Sequence, residues 1–316
     1  MIGRIVRFVL LLTGWVLLAA AAVAVWLHRF PSRGEITVYL TSAVPFALIA
    51  GVAALVIFAA TRRWILLALA VVVTAALCYG QAPLFRAQAA PAGEPITVVT
   101  ANLLFGGADV DALAARVRAV DADLLSVQEL TPEALERLRD SDVAELLPYD
   151  YVVAAHTALG TGLFSRTPLS GQAEVEGTVL HNLGATTDLP GAPGTRVFAL
   201  HPGAPLPGRT DIWRDDLAAI DRHLTSVPRG PIIAAGDFNA TWDHIRYRGL
   251  LEQGLVDATD QAGAGFSPTY PTDRPGGRPV IAIDRVMSRG FVATSLHTFD
   301  LPGSDHRGVV VTLVAP

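Results

Sequence analysis

Eight polar residues in the C-terminal two-thirds of the chain each close or flank a short apolar run: Asn102, Glu129, His201, Asp237, Asn239, Asp284, Asp305 and His306. Asn102 closes the run from Ile96, Glu129 follows Leu124-Leu125-Ser126-Val127-Gln128, and His201 closes the run from Arg196. Gly236-Asp237-Phe238-Asn239 follows the run from Pro231, Asp284 follows Val280 to Ile283, and Ser304-Asp305-His306 precedes the last run, Val309 to Val314. Strand ends are where loops carry function on a fixed scaffold. Carboxylate and amide oxygens are hard ligands that suit Mg²⁺, or Mn²⁺ or Ca²⁺. A zinc site is less favoured, because the sequence has neither a Cys ligand set nor an H-E-x-x-H helix. Walker-type, G-x-G-x-x-G and G-x-S-x-G signatures are also absent, which removes the nucleotide-hydrolase, dinucleotide and α/β-hydrolase readings. Taken singly, an Asn or Asp at a strand end is more often a turn or cap residue. The weight rests on the ordered set.

Elements able to position such a set alternate along the chain. Apolar runs at 96–101, 124–127, 151–154, 162–165, 196–200, 231–235, 280–283 and 309–314 predict strands. The amphipathic patterns at 110–120, 132–139 and 211–224 predict helices. Stretches rich in Gly and Pro at 184–194, 202–208 and 273–279 read as loops. The alternation predicts an α/β layered domain over residues 96–316, preceded by an unpatterned linker at 87–95.

Seven motifs then carry a specific resemblance: Thr100-Ala101-Asn102, Gln128-Glu129, Gly162-Leu163-Phe164-Ser165-Arg166, Leu200-His201-Pro202, Gly236-Asp237-Phe238-Asn239, Ile283-Asp284-Arg285 and Ser304-Asp305-His306-Arg307. Their order resembles that of the endonuclease/exonuclease/phosphatase (deoxyribonuclease I-like) family. The resemblance implies a four-layer α/β sandwich with two mixed β-sheets and a metal-dependent phosphoesterase activity. It further implies that Glu129 holds the divalent cation with Asn102 and Asp305 near it, and that His306 is a general base or phosphate contact oriented by Asp284. Asp237 and Asn239 would position or activate water, and His201 would contact the phosphate or assist the leaving oxygen. Whether the imidazole or the aspartate takes the water's proton stays open. Arg209, Arg214 and Arg285 are further candidates for phosphate contact. The remaining histidines, at 28, 156, 181, 223, 244 and 297, read as surface or packing residues.

Residues 1–86 are of another kind. No Asp, Glu, Lys or Arg interrupts Phe8 to Leu27, Ile36 to Ala60 or Trp64 to Phe85, and each run reaches the roughly 20 residues that cross a bilayer core. Three transmembrane helices forming an anchor are expected, with Pro45 and Gly51 tolerated in the second. The first run could instead be a signal peptide ending near Ala22-Val23-Ala24, although its length argues against that. Arg4, Arg7, Arg62 and Arg63 against Arg29, Arg33 and Arg86 place the catalytic domain outside the cell. All 24 basic residues are Arg, a composition that points to a GC-rich bacterial genome. The one cysteine, Cys78, excludes an intrachain disulfide.

Seventeen Arg and 27 acidic residues follow Glu94, so the C-terminal part carries about ten net negative charges and has no general basic footprint for nucleic acid. The expected substrate is a phosphoester, from a lipid headgroup if tethering decides. Nucleic acid is the alternative, which would make the chain a surface nuclease, and a catalytically silent binding module is a third reading. Nothing in the sequence points to a protein partner.

Overall fold

The structure, a computed structural model, describes residues 2–32, 34–274 and 276–315. Met1, Arg33, Pro275 and Pro316, which enter the boundaries, loop and charge bias expected above, lie outside them. The chain forms two units, one of residues up to Pro83 together with Trp242–Ile245, the other of Leu84–Thr241 together with the residues from Arg246.

The first unit is helical: α1 (Ile2–Arg29), α2 (Glu35–Ser42), α3 (Ala47–Ala60) and α4 (Trp64–Gln81). Both α1 and α4 are long and apolar enough to cross a membrane, whereas α2 and α3 could do so only as one broken span bent by 55°. The break falls at the turn Val44–Phe46, where Pro45 supplies no N–H to continue the ladder. An uninterrupted second helix was expected; the proline interrupts it instead. Small residues let these helices approach, since a Cβ on Gly51 would lie 2.6 Å from Thr74 Oγ1. Large apolar side chains such as Phe8, Trp15, Ile49, Ile65 and Val72 point outward. Within this unit Asp243, fully buried, accepts from Gln81 Nε2 at 2.7 Å and pairs with His28 Nδ1 at 2.7 Å. Trp242 Nε1 donates to the Gly80 carbonyl at 3.0 Å. The segment Trp242–Ile245 was read from the sequence as part of the α/β domain.

Among its described residues the second unit has twelve strands: β1 (Pro95–Asn102), β2 (Leu124–Gln128), β3 (Tyr149–Val153), β4 (Thr161–Ser165), β5 (Ser170–Glu174), β6 (Leu183–Leu189), β7 (Ala192–Leu200), β8 (Ile232–Asp237), β9 (Val256–Asp257), β10 (Asp284–Arg289), β11 (Val292–Asp300) and β12 (Arg307–Val314). They form two mixed six-stranded sheets, ordered β11-β12-β1-β2-β4-β3 and β5-β6-β7-β8-β10-β9. Alternation along β1 divides its side chains between two cores. Ile96 and Val98 join Leu124, Leu163, Ala185, Val197, Ile233, Val286 and Val311 between the sheets. Val99 and Ala101 face the other way, onto the helices α5 (Val110–Ala119), α6 (Pro132–Arg139) and α7 (Val143–Leu146). α8 (Thr210–Ser226) buries Trp213, Leu217, Ile220 and Leu224, and its His223 meets Phe198 of β7 edge-on at 5.6 Å. The result is a four-layer α/β sandwich.

Two sequence expectations are corrected. Residues 184–194 form the β6–β7 hairpin and not a loop: Gly191, with φ of 68°, makes its turn, Gly194, with φ of 67°, lies in β7 where the register shifts, and Gly184 leaves room for the Phe198 ring, 2.7 Å from where a Cβ would stand. Val280 to Ile283 is not a strand. Its backbone is taken up by the neighbouring segment, with Val280 and Ile281 N–H both donating to the Tyr270 carbonyl at 2.9 Å, and the strand begins at Asp284.

Candidate active site

Topology brings the eight residues together. β1 and β2 are parallel, as are β7 and β8, and Asn102, Glu129, His201 and Asp237 lie at or just beyond their C-terminal ends. β10 runs antiparallel to β8, so Asp284, the first residue of its strand, is the register partner of Asp237, the last of its own. β12 runs antiparallel to β1, which delivers Asp305 and His306 to the same edge. Asn102 Nδ2 donates to Asp237 Oδ2 at 3.1 Å, joining the ends of the two sheets. Beneath them lies a buried polar chain in which Thr100 Oγ1 donates to Gln128 Oε1, Gln128 Nε2 to Ser126 Oγ, and Ser126 Oγ to the Ala235 carbonyl on the facing sheet. Gly236 is required where β8 passes β7, because a Cβ there would overlap the Leu200 carbonyl oxygen.

Glu129, His201, Asp237, Asn239, Asp305 and His306 line one cavity of about 360 Å³. Seven described non-glycine residues have positive φ, and four of them, Leu104, Phe105, Glu129 and Asn239, line this cavity. Each costs about 1–3 kcal/mol, which the surrounding bonds must offset. Glu129 is fixed by the Phe105 N–H at 2.7 Å and Asn102 Nδ2 at 3.2 Å. Asn239 N–H donates to Asp237 Oδ1 at 2.8 Å, and its Nδ2 donates to the Pro202 carbonyl at 3.0 Å.

Asp284 stands behind the cavity wall and bonds His306 Nδ1 at 2.8 Å, which leaves Nε2 facing Asp237 Oδ2 and Asp305 Oδ1, each at 3.8 Å. Burial opposes charge on this imidazole, but Asp284 and Asp237 outweigh it, and its pKa is pushed up to about 10. Burial, reinforced by the Asp284 charge, raises the Asp237 carboxyl above the usual range, against the pull of His306 and His201. His201 Nε2 lies 3.8 Å from Asp237 Oδ2. Asp305 is raised by burial, with the Glu129 charge adding to it against the pull of His306.

Among the described residues, two groups of side chains could hold a metal. Asp237, Asp284 and His306 bring one donor atom each within 4.8 Å of one another. A cation there would have to break the His306–Asp284 hydrogen bond. Glu129 and Asp305 line the open cavity, and the repulsion between them is what a divalent cation relieves. All their donors are hard oxygens, which fits Mg²⁺ or Mn²⁺. Asn102 lies beside Glu129 with its amide nitrogen toward the two carboxylates, while its oxygen accepts from the Leu104 N–H at 2.9 Å.

Of the three arginines singled out, Arg209 lines the cavity. Arg285 is buried and donates to Asp257 at 2.8 Å, and Arg214 pairs with Asp215 at 3.1 Å; neither lines the cavity. Tyr270 does, with its ring centroid 4.7 Å from that of His306. No motif in the sequence marked it, and the only local cue was its place before Pro271.

This fold, with carboxylates and imidazoles gathered where the two sheets' strands end, defines the class of layered α/β phosphoesterases, nucleases and phosphatases. The chain belongs to the Endonuclease/Exonuclease/phosphatase family, whose sequence profile matches residues 99–306. Solved structures share the fold. An endonuclease/exonuclease/phosphatase from Beutenbergia cavernae DSM 12333 is 22% identical, with a TM-score of 0.57 over 70% of this chain and 72% of that one. D. rerio TDP2, complexed with single strand DNA product, is 16% identical, with a TM-score of 0.55 over 70% and 99%. The mannosyl-6-phosphatase of Bacteroides thetaiotaomicron VPI-5482 is 16% identical, with a TM-score of 0.51 over 69% and 99%. None of the curated proteins matches the chain.

Proposed function

We propose that the chain is a membrane-tethered, divalent-metal-dependent phosphoesterase that hydrolyses a phosphodiester or phosphomonoester by in-line attack of water. The observation that carries this reading is the convergence of Glu129, His201, Asp237, Asn239, Asp305 and His306 on one cavity. Glu129 and Asp305 hold the cation, which when bound neutralises charge developing on the phosphoryl oxygens. Asn102 keeps Glu129 and Asp237 in place through its amide hydrogens. Asp237 and Asn239 orient the water, and Asp237, whose proton affinity burial raises, is placed to take its proton. His306, held charged by Asp284, contacts a phosphoryl oxygen. As the water oxygen bonds to phosphorus, the bond from phosphorus to the leaving oxygen breaks; that oxygen takes a proton from solvent beside His201, and the proton on Asp237 returns to solvent. The lengths and apolar outer faces of α1 and α4 support the tether.

The test uses the full chain in lipid nanodiscs with bis(p-nitrophenyl) phosphate and Mg²⁺, Mn²⁺ or EDTA. Cation-dependent turnover that falls at least 10³-fold in Glu129→Ala is expected. A Glu129→Ala variant with wild-type turnover and cation affinity would overturn the reading. The TDP2 structure with its DNA product motivates a second reading, a nuclease acting on extracellular DNA or RNA. Plasmid, single-stranded DNA and RNA in the same assay separate the two.

A further inference from the structure

Most of the exposed side chains that line the cavity are apolar; the exception among the described residues is Arg209. Between residues 87 and 315, six large hydrophobic side chains are exposed among the described residues: Phe105, Tyr149, Leu159, Val179, Leu206 and Phe266. Four of these, Phe105, Leu159, Val179 and Leu206, line the active-site cavity, and they are 56, 38, 54 and 54% exposed. They come from four separate loops: after β1, between β3 and β4, between β5 and β6, and before α8. Scattered single apolar residues need no explanation, but four of them lining the same cavity as a polar centre mark a binding surface.

Its composition selects among phosphoesters. A nucleic-acid groove combines several basic side chains along the phosphates with aromatic faces for the bases. This rim has one exposed aromatic, Phe105, and three aliphatic side chains; Arg209 is the one arginine among the described residues lining the cavity. About ten net negative charges follow Glu94. A polyanion is disfavoured by such a surface, whereas a single phosphoester with an aliphatic neighbour gains from both parts of the cavity.

We infer that Phe105, Leu159, Val179 and Leu206 seat the aliphatic part of a lipid phosphoester while its phosphorus lies among Glu129, Asp237 and His306. The inference rests on the phosphoesterase reading and names the substrate class of that site. Each methylene fully covered by the rim strengthens binding about fourfold. With half of that area covered, the factor is roughly twofold.

Full chain in nanodiscs is titrated calorimetrically with methyl-, butyl- and hexylphosphonate in the presence of Mg²⁺. Turnover of methyl and hexyl p-nitrophenyl phosphodiesters is measured alongside. Affinity and kcat/KM are expected to rise at least tenfold from methyl to hexyl, and Leu206→Ser together with Val179→Ser is expected to flatten the dependence. Equal affinity for all three phosphonates overturns the inference and, if turnover persists, leaves the phosphoesterase reading standing. Tighter binding of a deoxythymidine hexanucleotide than of hexylphosphonate overturns it in favour of a nucleic-acid substrate. Chain-length-dependent binding without turnover of any ester supports the apolar seat while the phosphoesterase reading fails.

Discussion

The His306–Asp284 pair concentrates the electrostatics of the site. Asp284 reaches the cavity only through the imidazole, so its removal leaves the other cavity-lining side chains in place while freeing the ring to turn and lose its charge. Asp284→Asn is therefore expected to lower kcat on the order of 10²-fold or more with KM changed little, a split read from steady-state kinetics. The same pair makes stability depend on pH. The folded pKa, about 10, exceeds the ordinary histidine value of 6.5, so the folded state binds the proton more tightly. That contribution is fully present below about pH 6.5 and is lost as pH rises through about 10. With divalent cations chelated, the melting temperature followed by tryptophan fluorescence is expected to fall over this window, and His306→Gln to flatten the fall.

At the scale of elements, the site depends on strands that stop in the right place, and β7 and β8 stop where Gly236 lets them pass closely. Gly236→Ala is expected to cost about 1–3 kcal/mol, by forcing the Leu200 carbonyl aside, and to remove activity as Asp237 moves with its strand. Chemical denaturation and turnover measured together check both parts. The strands leading to Asn102, Glu129 and Asp237 were legible because largely buried strands read as mostly apolar runs closed by a polar residue. The β6–β7 hairpin was not, because the glycines that signal a loop here make a turn and a seat for Phe198. Asp284 was expected to follow a strand and instead begins one: Val280 to Ile283 is apolar like a strand, yet it spends its N–H groups on Tyr270 and Thr269. Tyr270 itself had no pattern to betray it, since packing against His306 is a contact between segments far apart in sequence. The rim formed by Phe105, Leu159, Val179 and Leu206 was hidden for the same reason, its four loops being brought together only by the fold.

For the molecule as a whole, the unequal halves of the chain set a question of sides. The helical unit presents apolar side chains outward and keeps polar contacts such as those of Asp243 and the Ser32–Thr41 pair buried, while the α/β unit is acidic and its exposed apolar residues gather mainly around one cavity. Three crossings that begin in the cytoplasm would place the α/β unit outside, and so would two crossings after cleavage of α1, provided that α2 and α3 act as one span despite their 55° bend. If α2 and α3 only re-enter the same face, α1 and α4 make two crossings and the α/β unit returns to the cytoplasm. The positive-inside bias of Arg4, Arg7, Arg62 and Arg63 requires both loops to share one side, which two crossings flanking a re-entrant pair cannot give. The bent pair is thus expected to span. Cys78 is the only thiol, so Cys78→Ala followed by Thr225→Cys, at an exposed position near the end of α8, places a single reporter in the α/β unit. In intact cells a membrane-impermeant maleimide is expected to label that thiol as fully as in lysed cells; labelling only after lysis would put the cavity in the cytoplasm, as a re-entrant α2–α3 pair or an inverted three-span topology requires.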